Sequence, residues 1–245
     1  MEKIFIDKAE DVCVLSQYDS EFIGTIEVYI KDIEEEFEIP SNLKCDILDI
    51  EGCPGLKAIP STIQVKNCLA LRGSHGVKTL PDGFSCRSLI LENVHNLPLH
   101  LNVDNIILNS CDIETFDVMG EYVKVAFVYC KKLKHVCKLT TEMFLVIQNP
   151  SLENIDEVTA TNMLVISGAD NLTSANVVNN NNNYDTVVFE LCPKITDIPT
   201  DFKTDLLGLV ETGIPDARIA EIKHSNICNI FATTAEDIEK LEQTA

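Results

Sequence analysis

The apolar residues of this chain recur in a fixed figure. From Leu48 the pattern reads Φ-x-Φ-x-x-C-x-x-Φ-x-x-Φ, with Φ apolar. It returns in full at Val125, Phe127, Cys130, Leu133, Val136 and at Val187, Phe189, Cys192, Ile195, Ile198. Admitting any small residue at the cysteine position adds units led by Ile4, Leu69, Phe144 and Leu164, which carry Ala9, Ser74, Asn149 and Ala169 there. Less regular units begin near Ile26, Leu89, Ile106, Leu207 and Cys228, and the Ile106 unit is one residue short at Cys111, Ile113, Phe116. About twelve units at a mean spacing of roughly 20 residues therefore fill the chain. A unit of this size cannot bury its apolar face alone, whereas stacked units share one continuous core. The expectation is a single solenoid over residues 1–245, with no linker and no second domain.

The Φ-x-Φ pair has the period of two of a β-strand, so stacking predicts a parallel sheet along one side. A repeat this short leaves too little chain for a return helix, which predicts a convex side of turns, extended segments or 3-10 helix. Pro-x-x-Φ tails, from Pro60 to Ile63, Pro81 to Phe84 and Pro199 to Phe202, are expected to pin that return to the core. The segment TTAEDIEKLEQ has a capping box at Thr233 and Glu236, and predicts a short helical cap over 233–245.

The pattern resembles leucine-rich repeats, whose core L-x-x-L-x-L-x-x-N/C-x-L it matches apart from one extra residue after the cysteine position. The C-x-x-L spacing is similar to the cysteine-containing variants of F-box proteins and plant disease-resistance receptors, as are the tails IPSTI, LPDGF and IPTDF. The repeat length is nearer to that of bacterial effector arrays. The resemblance implies an α/β repeat solenoid dominated by β, curved, with the parallel sheet on its concave face. It also implies a stand-alone protein-binding array, since the ligase, nucleotide-binding and F-box domains of those families have no counterpart in these residues.

Side chains immediately before, between and after each Φ pair point away from the core, where a solvated sheet should be polar. The early units follow this rule with Glu27, Asp49, Glu51 and Arg72. Later units do not: they carry Ile90, Ile107, Ala126, Val128, Met143, Leu145, Ile147, Met163, Val165, Val188, Leu206 and Val210. In-register strands would gather these into a stripe on the order of several hundred Å², at or above the largest apolar patch usual on a monomer. Ile90, Ile107, Val128, Met143, Leu145, Ile147, Met163, Val165, Val188 and Val210 are therefore the candidate partner-binding set, with adaptable Met143 and Met163 at its centre. A misread register, or cover by a neighbouring segment or a second copy, would account for the same residues.

Charge and cysteines narrow the function classes. Lys+Arg 19 against Asp+Glu 39 gives a net charge of -20, which repels nucleic acid and anionic membranes and favours a partner with a basic surface. No signal-peptide core is present and no apolar run approaches the roughly 18 residues of a membrane span, so the expected location is cytoplasmic. Low Gly and Pro with many Ile, Asn, Lys and Asp suit an AT-rich genome such as that of a phage or parasite. In a reducing compartment the ten cysteines should be thiols or metal ligands. Cys53, Cys111, Cys130 and Cys192 share their repeat position with Ala, Ser, Asn and Thr, and no C-x2-C pair occurs, so they read as an inert ladder rather than a zinc site. Cys45, Cys68, Cys86 and Cys228 read as small buried hydrophobes.

The five histidines share no repeat position, and no nucleophile elbow, P-loop or zinc-protease motif appears. The expectation is a non-enzyme without cofactor or metal. A basic island at Lys124, Lys131, Lys132, Lys134, His135 and Lys138 offers Lys131, Lys132 and Lys134 as candidate anion-binding residues, against the plainer reading of a solvated loop edge. Together these readings describe an intracellular leucine-rich-repeat protein that binds, inhibits or sequesters a partner protein through its apolar concave face, as an effector or inhibitor. An acidic nucleic-acid mimic and a homo-oligomeric structural protein stay open beside it.

Overall fold

Each Φ-x-Φ pair lies in the second half of a longer strand. A computed structural model describes residues 2–18, 25–74, 76–98, 100–118, 120–178, 183–199, 202–223 and 229–232. Its strands are β1 (Glu2–Ile6), β2 (Ile26–Lys31), β3 (Lys44–Glu51), β4 (Gln64–Arg72), β5 (Phe84–Glu92), β6 (Leu101–Asn109), β7 (Thr115–Phe116), β8 (Gly120–Val128), β9 (His135–Ile147), β10 (Asn154–Ser167), β11 (Asn183–Cys192), β12 (Lys203–Thr212) and β13 (Asn229–Ala232). The chain divides into two compact units, Met1–Ile113 with Val118–Tyr122, and Glu114–Asp117 with Val123–Ala245. Each is a parallel β-solenoid. In the first, β1 to β6 pair in sequence order. In the second, β9 to β13 do the same, with β8 and β7 beside β9.

Pairing fixes the repeat frame. In the first unit Ile4, Val28, Leu48, Leu69, Leu89 and Ile106 form one row, buried from Val28 onward and half-buried at Ile4. In the second, Phe144, Leu164, Val187, Leu207 and Ile230 form the matching row, buried up to Leu207 and half-buried at Ile230. Two expected starts therefore move by two residues: Val28 rather than Ile26 stands beside Leu48, and Ile230 rather than Cys228 beside Leu207. Ile26, Val28 and Ile30 are apolar at every second position, so only the neighbouring strand decides which pair is in frame.

Most strands are longer than the Φ-x-Φ pair. In β5 the buried residues are Phe84, Cys86, Leu89 and Leu91, and in β6 Leu101, Val103, Ile106 and Leu108. The spacing two, three, two switches the inward parity once, so both halves of a bent strand face the core. The Pro-x-x-Φ residues Ile63, Phe84 and Phe202 are buried, but they sit at the start of the next strand instead of on a return segment. Strands β9 and β10 turn a further corner at Lys138 and Glu157, both with positive φ. The core of the second unit includes Phe116, Phe127 and Phe144 in successive edge-to-face contact.

The C-x-x-Φ spacing is a turn. The carbonyl at the cysteine position accepts the N–H of Φ three residues on: Leu56 to Cys53 at 3.3 Å, Leu133 to Cys130 at 3.0 Å, Leu152 to Asn149 at 3.1 Å and Ile195 to Cys192 at 3.1 Å. Each Φ then drops into the core. The residue before the cysteine position is left-handed in rung after rung, at Asp32, Gly52, Gly73, Asn93, Ser110, Tyr129, Gln148, Gly168, Leu191 and Glu211. Its N–H carries the interstrand ladder one step further, as Gly52 to the Arg72 carbonyl at 2.8 Å and Gln148 to that of Ser167 at 2.7 Å.

Thiols at the turn are buried and donate to carbonyls. Cys53 Sγ lies 3.2 Å from the Glu51 carbonyl oxygen and 3.8 Å from that of Ile30, and Cys192 Sγ lies 3.2 Å and 3.7 Å from those of Glu190 and Ile166. Burial pushes the Cys192 thiol up to about 11. Asn149 plays the same part with its amide, donating to the Phe127 and Ile147 carbonyls at 3.0 and 2.8 Å while Oδ1 accepts the Cys130 N–H at 2.8 Å. In most rungs the residue here is small, while Ile33 and Val94 fill the same buried position with branched apolar side chains.

Between strands the chain is mostly turn and extended, with a 3-10 helix at Ala9–Gln17. The connection from β12 to β13 holds an α-helix, α1 (Asp216–Lys223), whose Ile219 and Ile222 are buried. The N–H groups of Arg218 and Ile219 both reach the Pro215 carbonyl, which starts the helix where proline cannot continue a strand. No described helix is long and apolar enough to cross a membrane. The expected cap over 233–245 lies outside the described residues.

Candidate protein-binding face

On the outward face of the second unit, apolar side chains meet rung by rung. Met143 stands beside Met163, Leu145 beside Val165, and Val165 beside Val188. Tyr129 donates its N–H to the Ile147 carbonyl at 2.9 Å, the same offset that Gln148 makes to Ser167, which puts Val128 next to Ile147. Val128, Met143, Leu145, Ile147, Met163, Val165 and Val188 are half-buried, because each is flanked by its neighbour on the adjoining strand about 4.8 Å away. Beyond Val188 the row narrows at Gly208, where a Cβ would come within 3.1 Å of a Val188 methyl, and on the methionine flank Thr186 separates Met163 from Leu206, which is 40% exposed. The principal contacts of β9, β10 and β11 are with neighbouring strands.

The stripe is less uniform than the sequence suggests. Ile147 is followed on its flank by Ser167 and Glu190, joined by a 2.9 Å hydrogen bond from Ser167 Oγ to Glu190 Oε2, before Val210 resumes it. Val128, Met143, Leu145, Ile147, Met163, Val165 and Val188 thus form one patch, and Val210 stands apart from it. Ile90 stands between Ala70 and Ile107 in the first unit. Ala126 is buried.

Lys131, Lys132 and Lys134 lie on the turn after β8 and off this face. Lys134 Nζ pairs with Glu114 at 3.1 Å, and Lys138 with Asp117 at 3.1 Å, so carboxylates one rung earlier neutralise part of the basic island. Among the described residues no group of three or more His, Cys, Asp or Glu could hold a metal ion.

The outward face of the first unit is largely ionic from β1 to β4, before Ile90 and Ile107 on β5 and β6. Glu27 accepts from Lys3 at 2.9 Å and from the Tyr29 hydroxyl at 2.9 Å, Lys31 pairs with Glu51 at 2.6 Å, and Arg72 with Asp49 at 2.7 Å. Phe5 stacks on Tyr29 with ring centroids 5.1 Å apart and is itself 71% exposed. Hydrogen bonds from Lys3 and Tyr29 hold the Glu27 carboxyl below its ordinary value, and Lys31 does the same for Glu51. Sequence reading placed these charges outward but missed that they pair. Lys31 and Glu51 occupy the same repeat position one unit apart, which is the signal that could have shown it.

No family model matches the chain, and no curated protein or solved structure matches it.

Proposed function

We propose that the protein is a non-enzymatic binding module that holds a partner protein against the apolar sheet face of its second unit. The observation that carries this is the row of Leu145, Val165 and Val188, in register on three adjacent strands and flanked by Met143, Met163 and Ile147. Uncharged outward positions on successive rungs bring no benefit to a solvated sheet, and strands β1 to β4 carry ionic pairs at the same positions. Methionines let such a face adapt to its partner, and the acidic surroundings steer it toward a basic one. In the same reading the chain acts inside the cell by occupying its target. Kinship with curved leucine-rich repeats belongs to this proposal, supported by the roughly 20-residue period and the recurring small residue at the turn.

Acidic mimicry of nucleic acid is less well supported, because Glu27, Asp49 and Glu51 face cations at pairing distance instead of standing free.

The test replaces Leu145 with Lys and Val165 with Glu, a pair of opposite charges that reproduces the ionic ladder of the first unit and spares the strand pairing. The intact chain should retain a specific protein from its source cells and the double variant should not, at equal circular dichroism. Equal retention by both would overturn the assignment. A light-scattering mass of two copies that falls to one in the variant would make the partner a second copy.

A further inference from the structure

The first unit holds a groove of about 1010 Å³ between the 3-10 helix and the connections that follow β2 and β3. None of its lining residues belongs to a strand, so it is separate from the sheet face. Apolar side chains of Val12, Phe37, Ile39 and Pro40 form its floor, with Ala58 and Pro60 opposite. Glu10, Glu36 and Glu38 stand exposed around it, and the cation facing them, Lys57, is 3.6 Å from Glu36. A second hollow of about 380 Å³ shares Ala9 and Glu10 with it and adds Asp7, Lys8 and Glu35. Gly55 sets one wall: a Cβ there would lie 1.8 Å from the Glu35 carbonyl oxygen, so only glycine lets the two connections approach this closely.

Volume and charge together select the occupant. Sites for small molecules span about 300–1,000 Å³, and this groove with its extension exceeds that range. An apolar floor excludes a fully hydrated cation, and the carboxylate rim excludes anions. We infer that the groove takes a short extended peptide segment of a partner protein in which lysine or arginine alternates with apolar residues. Alternation sends apolar side chains to the floor and cationic ones outward, where their long stems bend to Glu10, Glu36 and Glu38.

A fluorescein-labelled peptide of alternating lysine and leucine should bind the full chain, with affinity falling as salt is raised. Peptides alternating glutamate with leucine, or lysine with serine, should bind at least about tenfold more weakly. Glu10→Gln, Glu36→Gln and Glu38→Gln together should weaken binding about tenfold, and exposed Ala58→Arg should abolish it. Glu142→Gln, Glu153→Gln and Asp185→Asn remove the same charge from the second unit and should leave affinity unchanged. Cys13 lines the groove as an exposed thiol, so the bound peptide should slow its reaction with maleimide, located by peptide mass mapping. Equal loss in both triple variants, tight binding of the lysine–serine peptide, equal displacement by spermine, or unprotected Cys13 would each overturn the inference.

Discussion

Arg72 Nη1 lies 2.7 and 2.8 Å from the two carboxylate oxygens of Asp49, on the neighbouring strand of the first unit. The Asp49 side chain is 14% exposed and that of Arg72 38%. Burial pulls the Arg72 pKa down, and its pair with Asp49 outweighs this to raise it. Screening at the exposed guanidinium limits what the pair contributes. Arg72→Leu, which leaves the Asp49 charge without its partner, should cost about 1 kcal/mol in urea unfolding. Asp49→Val with Arg72→Leu should recover that loss, since an apolar pair needs no compensation for lost hydration. It should also bind more of a hydrophobic dye than the wild type. A double variant less stable than the single would refute this account of the face.

Glu27 and Glu51 give the same face an acid limb. Both carboxyls titrate below the ordinary 4.5 in the folded chain, through Lys3 and Lys31 respectively. A lowered folded pKa means stability that is fully present above the unfolded value and lost as pH falls through the folded one. The lysines, raised above 10.5, contribute below that value and lose it as pH rises through their folded values. Urea midpoints should therefore drop between about pH 7 and about pH 3, and Glu27→Gln should flatten that drop. Carboxyl NMR should place the Glu27 midpoint below 4.5; a midpoint at or above it would remove the cause.

The period, the parallel stacking and the turn at Cys53 were legible because each rests on a spacing that repeats along the chain. Strand length was not, because the upstream residues Phe84-x-Cys86 and Leu101-x-Val103 alternate out of phase with Leu89-x-Leu91 and Ile106-x-Leu108, and a single template sees only one phase. The frame at Ile26 and Cys228 slipped by two for a related reason: a period of two looks alike from either start. The outward positions of the candidate face were readable once the frame was known. Ser167 and Glu190, which interrupt it, differ from their neighbours only in polarity, and their mutual hydrogen bond depends on a register that no local pattern fixes.

Asn149 tests the turn ladder. Its amide satisfies the Phe127 and Ile147 carbonyls and the Cys130 N–H from a fully buried position. Asn149→Ala removes three buried hydrogen bonds, although the Ile147 carbonyl keeps the Tyr129 N–H, and should cost about 2 kcal/mol. Asn149→Cys, which installs the weaker donor found in sister rungs, should recover part of that loss. Ser74→Ala, whose hydroxyl is 3.4 Å from the Arg72 carbonyl oxygen, should cost under about 1 kcal/mol. Equal costs at both sites would mean that the ladder's hydrogen bonds are not what selects the residue.

Left-handed residues before each turn make a prediction of opposite signs. Glu211 is exposed and holds φ at 50°, a conformation that costs a side-chain-bearing residue about 1–2 kcal/mol relative to glycine. Glycine loses about 0.5–1 kcal/mol more conformational freedom on folding, so Glu211→Gly should stabilise the second unit by about 0.5–1 kcal/mol. Gly52 already holds φ at 63°, and a Cβ there would lie 2.7 Å from Asp32 Oδ1. Gly52→Ala should destabilise the first unit by about 1–2 kcal/mol. Gly52→Ala with Asp32→Ala removes the side-chain clash and leaves the backbone cost. If the double variant regains wild-type stability, the penalty at Gly52 is steric crowding by Asp32; if it does not, the left-handed turn itself selects glycine.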